Sequence, residues 1–139
     1  MNRLFLAIAM AAALLCSASA TTRCYKVIGN VTCSHGNLSK PVEIQLLDED
    51  GLPWESDDLM GRTWANNKGQ FKVEGCGNDF GPYNDPDPYL KFIHTCKDPA
   101  EDDVEQGPFV QSRMLLAQTH LPQIIKLDEV DLRSLEVIE

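Results

Sequence analysis

Basic residues are scarce in this chain. Its 139 residues include 12 Lys and Arg against 21 Asp and Glu, so the formal net charge at pH 7 is −9. Binding to nucleic acid through phosphate contacts needs clustered positive charge, and an acidic protein is repelled by polyanions and by bare anionic membranes. The composition therefore excludes nucleic acid as an expected partner.

Long hydrophobic runs are nearly absent as well. One run, 4–15, follows Arg3 and precedes the small residues Ala18-Ser19-Ala20. A dozen apolar residues fall short of the roughly 20 that cross a bilayer, whereas a basic start, a short apolar run and an A-x-A site are typical of a signal peptide. We expect residues 1–20 to be a signal peptide and 21–139 to form one secreted domain that does not span a membrane.

Metal-binding and catalytic motifs are also missing. The chain has no C-x-x-C pair, and its three histidines are not clustered, so we expect no metal site and no cofactor. His94 shares strand parity with Cys96, which favours a hydrogen-bonded structural histidine on the inner face over a general base. Because no nucleophile, base and orienting group can be placed together, we predict no enzymatic activity.

Acidic residues in the turns offer the oxygen ligands that calcium prefers. Their spacing matches no dedicated calcium loop, so solvated turn residues are the simpler interpretation. Calcium binding is a hypothesis to test, and no metal ligand is assigned. The residues concerned are Asp48, Glu49, Asp50, Asp57, Asp58, Asp79, Asp85 and Asp87.

Four cysteines remain once the predicted signal peptide, with Cys16, is removed. An even number in a secreted chain indicates two disulfides. Cys24 and Cys33 lie on one predicted strand, about 30 Å apart, which is too far to pair. Parity separates the two remaining connectivities, since Cys24 and Cys76 lie on polar strand faces and Cys33 and Cys96 on apolar ones. We predict Cys24–Cys76 and Cys33–Cys96.

Two glycosylation sequons follow the first cysteine. They are Asn30-Val31-Thr32 and Asn37-Leu38-Ser39. Each permits a glycan on its asparagine in a secreted protein. Asn30 and Asn37 are therefore the predicted glycosylation sites.

Apolar residues recur at every second position along most of the remaining chain, the pattern of strands with one buried face. Turn residues at 66–69 predict a hairpin between the third and fourth strands, and the prolines and glycines of 76–88 predict an irregular loop. Short strands without βαβ alternation predict an all-β sandwich. The predicted strands are 24–33, 42–46, 62–65, 70–75 and 88–96, then 109–119 and 124–137, in the last of which Leu132, Leu135 and Val137 also fit a short helix.

Aromatic residues, only 7% of the chain, are candidates for a partner surface. Trp64 sits in a predicted strand and is expected in the core. Trp54 follows Pro53 between acidic turns, and Phe80 and Tyr83 belong to the predicted loop 76–88. We predict that Trp54, Phe80 and Tyr83 mark a binding surface formed by two loops.

Five blocks of residues occur in order along the chain: Val27–Cys33, Val42–Asp50, Asp57–Met60, Gly69–Gly75 and Pro88–Cys96. Together they resemble the nematode transthyretin-like family. The resemblance runs from about Cys24 to Cys96 and implies a disulfide-stapled sandwich of seven or eight strands, secretion, and extracellular binding. The first and fourth strands are neighbours in that fold, which agrees with Cys24–Cys76. The segment 34–40 is longer than the usual turn, and Cys24 with Cys76 is a pair not found in every member.

A related fold also supports a purine-pathway hydrolase. The C-terminal Tyr-Arg-Gly-Ser motif of that enzyme has no counterpart in the ending Ser134–Glu139, so this activity is rejected. The expected function is a secreted binding or bridging protein that recognises an extracellular protein, a glycan or a lipid headgroup. The alternative is a structural or surface-coat protein that assembles through sheet edges. The sequence determines neither the ligand nor the oligomeric state.

Overall fold

The computed structural model describes residues 20–34, 36, 38, 40–51, 56–80, 85–96 and 109–138. All but the last residue of the predicted signal peptide therefore lies outside the described residues. Eight strands and one short 3-10 helix form in the described part of the chain. They are β1 (Ala20–Thr32), β2 (Glu43–Asp48), β3 (Asp58–Trp64), β4 (Gln70–Phe80), β5 (Pro88–His94), β6 (Val110–Leu115), β7 (Ile125–Asp131), η1 (Leu132–Ser134) and β8 (Glu136–Ile138).

The strands form two sheets packed through their apolar faces. The smaller sheet has the order β4-β1-β7 and the larger sheet has the order β3-β2-β5-β6-β8. β7 runs parallel to β1, and the other neighbouring strands are antiparallel. The prediction of an all-β sandwich with seven or eight strands is confirmed.

The core lies between the sheets and follows from strand alternation. In β1, Tyr25, Val27 and Val31 are buried, while Lys26 keeps part of its side chain in solvent. The larger sheet contributes a matching set, and across the gap the rings of Phe71 and Phe92 meet edge to face with centroids 6.1 Å apart. Each large apolar side chain buried in this way stabilises the fold by roughly 1.5 to 3 kcal/mol.

The predicted hairpin between the third and fourth strands is wrong. β3 pairs with β2 in the larger sheet, whereas β4 pairs with β1 in the smaller one, so the turn at 66–69 carries the chain from one sheet to the other. Glycine permits this close packing of the two edge strands. A Cβ on Gly61 would come 2.2 Å from the Glu74 carbonyl oxygen, and one on Gly75 would come 2.3 Å from that of Met60.

The predicted irregular loop over 76–88 is wrong in its first part. β4 continues to Phe80 because β1 begins at Ala20, four residues before the predicted start, and offers it a partner. Pro88, in turn, begins β5, where a strand tolerates proline. Of the predicted loop, the described residues 85–87 belong to no strand.

The C-terminal part contains both the strand and the short helix that its sequence allows. β6 occupies the first part of the predicted strand 109–119. The predicted strand 124–137 divides into β7, the helical turn η1 and β8, and Leu132 of η1 is fully buried. η1 carries the chain from the smaller sheet to the edge of the larger one.

Candidate functional site

The described residues that flank the segments 52–55 and 81–84 lie at one end of the sandwich. Two hydrogen bonds join the end of β2 to the segment before β5. Glu49 N–H donates to the Asp87 carbonyl (3.1 Å), and Asp87 N–H donates to the Asp48 side-chain carboxylate (2.7 Å). We call the surrounding residues, 48–51, 56–57 and 85–87, the loop end. Segments 52–55 and 81–84, which carry Trp54 and Tyr83, begin and end beside it.

Carboxylates and tyrosines tie the loop end together. The Asp57 carboxylate accepts the Asp50 backbone N–H (3.1 Å) and the Tyr89 hydroxyl (2.5 Å). The Tyr25 hydroxyl donates to the Pro86 carbonyl over 3.2 Å, and Pro86 is fully buried. The bases of both loops are therefore held by side chains of the sandwich.

Ion pairs connect the loop end to neighbouring strands. Arg23 of β1 bonds Asp85 over 2.9 Å, and Arg113 of β6 bonds Glu49 while its guanidinium lies over the Tyr89 ring. Both pairs are partly solvated, so each contributes at most about 1 kcal/mol. Their main effect is to orient the chain where it enters each loop.

Burial and nearby negative charge raise the pKa values of both tyrosines. The pKa of Tyr25 rises to about 12 because the ring is buried and because Asp48 and Asp85 disfavour a phenolate. The pKa of Tyr89 is raised further, by burial and then by its hydrogen bond to Asp57. Both hydroxyls therefore remain donors at physiological pH.

The acidic side chains of this end form no metal centre in the described part of the chain. No group of three or more His, Cys, Asp or Glu side chains there has a geometry that could hold an ion. The oxygens of Asp48 and Asp57 instead accept backbone N–H groups. Among the calcium candidates, the side chain of Asp79 is outside the described residues.

The three aromatic residues predicted to form the partner surface fall mostly outside the described residues. Trp54 and Tyr83 lie outside the described residues. Phe80 is the last residue of β4, and only its backbone is described. The structure does show that the described residues flanking 52–55 and 81–84 meet at one end. Their role as a binding surface stays a prediction.

The opposite end of the sandwich, the cystine end, is built around Cys33–Cys96 and His94. The His94 side chain is 1% exposed. Its Nδ1 accepts the Cys96 backbone N–H (3.1 Å), so Nε2 carries the proton and donates to the Ser112 hydroxyl (2.8 Å). Burial lowers the pKa of His94 to about 4. The ring is a neutral structural group with both nitrogens engaged.

Both disulfides form with the pairing that strand parity predicts. Cys24 and Cys76 face each other across β1 and β4, with Cα atoms 3.9 Å apart, on the outer side of the smaller sheet. Cys33 and Cys96, with Cα atoms 5.8 Å apart, join the end of β1 to the segment after β5, and Cys96 belongs to the core. One bond is thus at the surface and the other seals one end of the core.

Of the two sequon asparagines, only Asn30 is among the described residues. Asn30 lies in β1 opposite Gln70 and Glu129, and its buried Oδ1 has no hydrogen-bond partner among the described residues. Asn37 is outside the described residues. Glycosylation of either asparagine stays a prediction.

Trp64 lies at the surface of the sandwich and not in its core. The sequence predicts it in the core, but its side chain is 56% exposed on the outer face of the larger sheet. Alternation explains the error, since Arg62 shares its parity and must face solvent. Trp64, Ile93 and Phe109 line an open groove at the edge of this face, together with Lys40, Pro41 and Glu43. The parity of Arg62 is the sequence signal that could have located it.

Two comparisons add little about function. The crystal structure of a 9R-lipoxygenase from Cyanothece PCC8801 is similar with a TM-score of 0.43 and 16% identity, over 78% of this chain but only 16% of that enzyme. A likeness at that level carries no argument. None of the curated proteins matches the chain, and no helix in the described residues is long and apolar enough to cross a membrane.

A family comparison is informative. The model of the transthyretin-like family matches residues 28–107, which is more than half of the chain. The matched segment runs from within β1 across β2 to β5 and includes three of the four paired cysteines. This chain therefore belongs to the transthyretin-like family.

Proposed function

We propose that this transthyretin-like chain is a secreted, non-enzymatic binding or bridging protein whose loop end recognises an extracellular protein, a glycan or a lipid headgroup. The observation that carries the proposal is that the described residues flanking 52–55 and 81–84 are bonded together at one end through Asp48, Asp57 and Tyr89. Loops held on a rigid sandwich are a frequent arrangement for binding sites. Removal of a signal peptide and a nematode origin are part of the same proposal.

Two features support binding over catalysis and over edge assembly. His94, the one histidine on a described strand, is buried with both ring nitrogens bonded. The described edge strands are poorly suited to pairing with another chain, because β3 and β4 pack on each other, β8 has three residues, and β7 exposes Lys126, Asp128 and Glu129. Assembly through sheet edges remains the alternative function.

The test is a binding screen of residues 21–139 with disulfides intact. The probes are a panel of extracellular proteins, a glycan array, and vesicles with neutral or anionic headgroups, each with and without calcium. Saturable binding that is lost in Trp54→Ala or Tyr83→Ala and retained in Trp64→Ala, on a different face, is the expected result. No binding in any condition, with concentration-dependent self-association in sedimentation, would overturn the proposal in favour of the coat protein.

A further inference from the structure

The groove beside Trp64 is separate from the loop end. Trp64 of β3 lies opposite Glu43 of β2, and Glu43 lies opposite Ile93 of β5, so the three side chains stand in one row across the outer face of the larger sheet. The pairing of Asp48 with Pro88 marks the opposite ends of β2 and β5. At roughly 3.4 Å per residue, the groove is about 17 Å from the loop end.

Four of the six residues that line the groove are apolar. Pro41, Trp64, Ile93 and Phe109 form its walls, and Trp64 and Phe109 are 56% and 46% exposed. The groove has a volume of about 420 Å³, within the range of roughly 300 to 1,000 Å³ that holds small molecules. Aromatic surface exposed in this way favours a ligand with a flat or aliphatic apolar body.

The charges around the groove favour an anion. The Glu43 carboxylate is already neutralised, since its Oε1 accepts from the Arg62 guanidinium (3.0 Å) and from the Gln45 amide (2.7 Å). Two ammonium groups are left without an acidic partner among the described residues. Lys40 lies 4.7 Å from the centre of the Phe109 ring, and Lys91 precedes Ile93 by two positions on the same face.

Lys91 is also placed against another positive charge. It lies directly opposite Arg113 of β6 and Gln45 of β2. Like charges at such positions destabilise a sheet, and Arg113 turns instead toward Glu49. An anion beside Lys91 would relieve this repulsion, whereas a cationic or neutral ligand would not.

We propose that this groove binds a small amphipathic carboxylate, with its apolar body against Trp64, Ile93 and Phe109 and its carboxylate paired with one of the two ammonium groups, Lys40 and Lys91, that lie on opposite sides of Ile93 along the strands. The site does not depend on the proposed function of the loop end. If both sites bind, the chain has two separate binding surfaces, as a bridging protein requires.

The experiment titrates residues 21–139, with disulfides intact and ¹⁵N-labelled, with octanoate and separately with uncharged 1-octanol. The indole N–H signal of Trp64, assigned with Trp64→Phe, reports on the groove. Octanoate should shift this signal and the Ile93 amide saturably. Trp64→Ala should weaken binding at least about tenfold, as loss of a central aromatic anchor does. Far-UV circular dichroism verifies the fold of each variant.

Charge substitutions separate the carboxylate contact from simple hydrophobic adsorption. The double variant Lys40→Gln/Lys91→Gln should weaken octanoate binding roughly fivefold, in line with solvated ion pairs, and leave 1-octanol binding unchanged. Lys126→Gln, an exposed lysine on the smaller sheet, is the matched control and should bind octanoate normally. Equal weakening of octanoate and 1-octanol, an unaffected Trp64 signal, or self-association through Trp64 would each overturn the proposal.

Discussion

The two ends of the sandwich are held by different chemistry. At the loop end, carboxylates of Asp48 and Asp57 accept backbone N–H groups, and buried tyrosine hydroxyls complete the network. At the cystine end, the neutral His94 side chain and the Cys33–Cys96 disulfide hold the neighbouring segments together. The cystine end should therefore weaken in acid and the loop end in alkali. We therefore expect the buried histidine and the buried tyrosines, at opposite ends of one core, to respond to pH in opposite directions.

The largest expected effect concerns the disulfides. The bonded cysteines are 52 and 63 residues apart, so loss of either bond should cost about 4 kcal/mol through the entropy of the unfolded chain. Cys33→Ala/Cys96→Ala should cost roughly 1 to 2 kcal/mol more than Cys24→Ala/Cys76→Ala, because Cys96 packs in the core. Urea unfolding of both double variants measures the difference, and an equal or reversed order would contradict it.

The second prediction concerns the loss of folding stability in acid through protonation of His94. The pKa of His94 is about 4 in the folded chain, below the ordinary 6.5, so the unfolded chain binds more protons between these values. Stability is retained above pH 6.5 and falls as the pH drops toward 4, by about 3 kcal/mol in total. Urea unfolding from pH 7 to pH 4 measures the loss. His94→Gln should flatten this part of the curve, and His120→Gln, a residue outside the core, should follow the wild type.

One result of the acid measurement would contradict the assignment of acid sensitivity to the cystine end. If His94→Gln loses stability as steeply as the wild type over that range, protonation of carboxylates accounts for the acid response. The loop end, and not the cystine end, would then be the acid-sensitive region of the sandwich.

The third prediction concerns alkali and is the smallest. Tyr25 has a folded pKa of about 12, above the ordinary 10, so its contribution is present below pH 10 and is lost as the pH rises toward 12. The expected loss is roughly 2 to 3 kcal/mol. Tyr25→Phe removes the bond to Pro86, at a cost of about 1 kcal/mol at neutral pH, but should lose less stability above pH 10. Tyr83→Phe is the control, and tyrosinate absorbance with guanidinium unfolding provides the measurement.

The fold class, most strand positions and the disulfide pairing could be predicted because each depends on local alternation. Parity within a strand places Tyr25 and Val27 on one face and Cys24 on the other, whatever the partner strands are. The same rule applied to Arg62 would have placed Trp64 outside, so that error came from weighting residue type above parity. The groove was missed for the same reason.

The candidate site was predicted less completely. Loop composition indicated where the chain leaves strand geometry, but Asp57 contacts Tyr89 across 32 residues and Asp48 contacts Asp87 across 39. Such contacts follow from which strands pair and in which register. No local pattern contains that information.

By itself the sequence determined an acidic, all-β chain with alternating faces and two disulfides, since composition and period-two patterns act within each segment. Only the tertiary structure decided that β3 and β4 lie in different sheets, that the bases of two distant loops share one end, and that Trp64 and Ile93 line one groove. Strand pairing joins residues far apart in sequence. The choice among pairings depends on the packing of the whole core and on close backbone approaches such as that of Gly61 and Gly75.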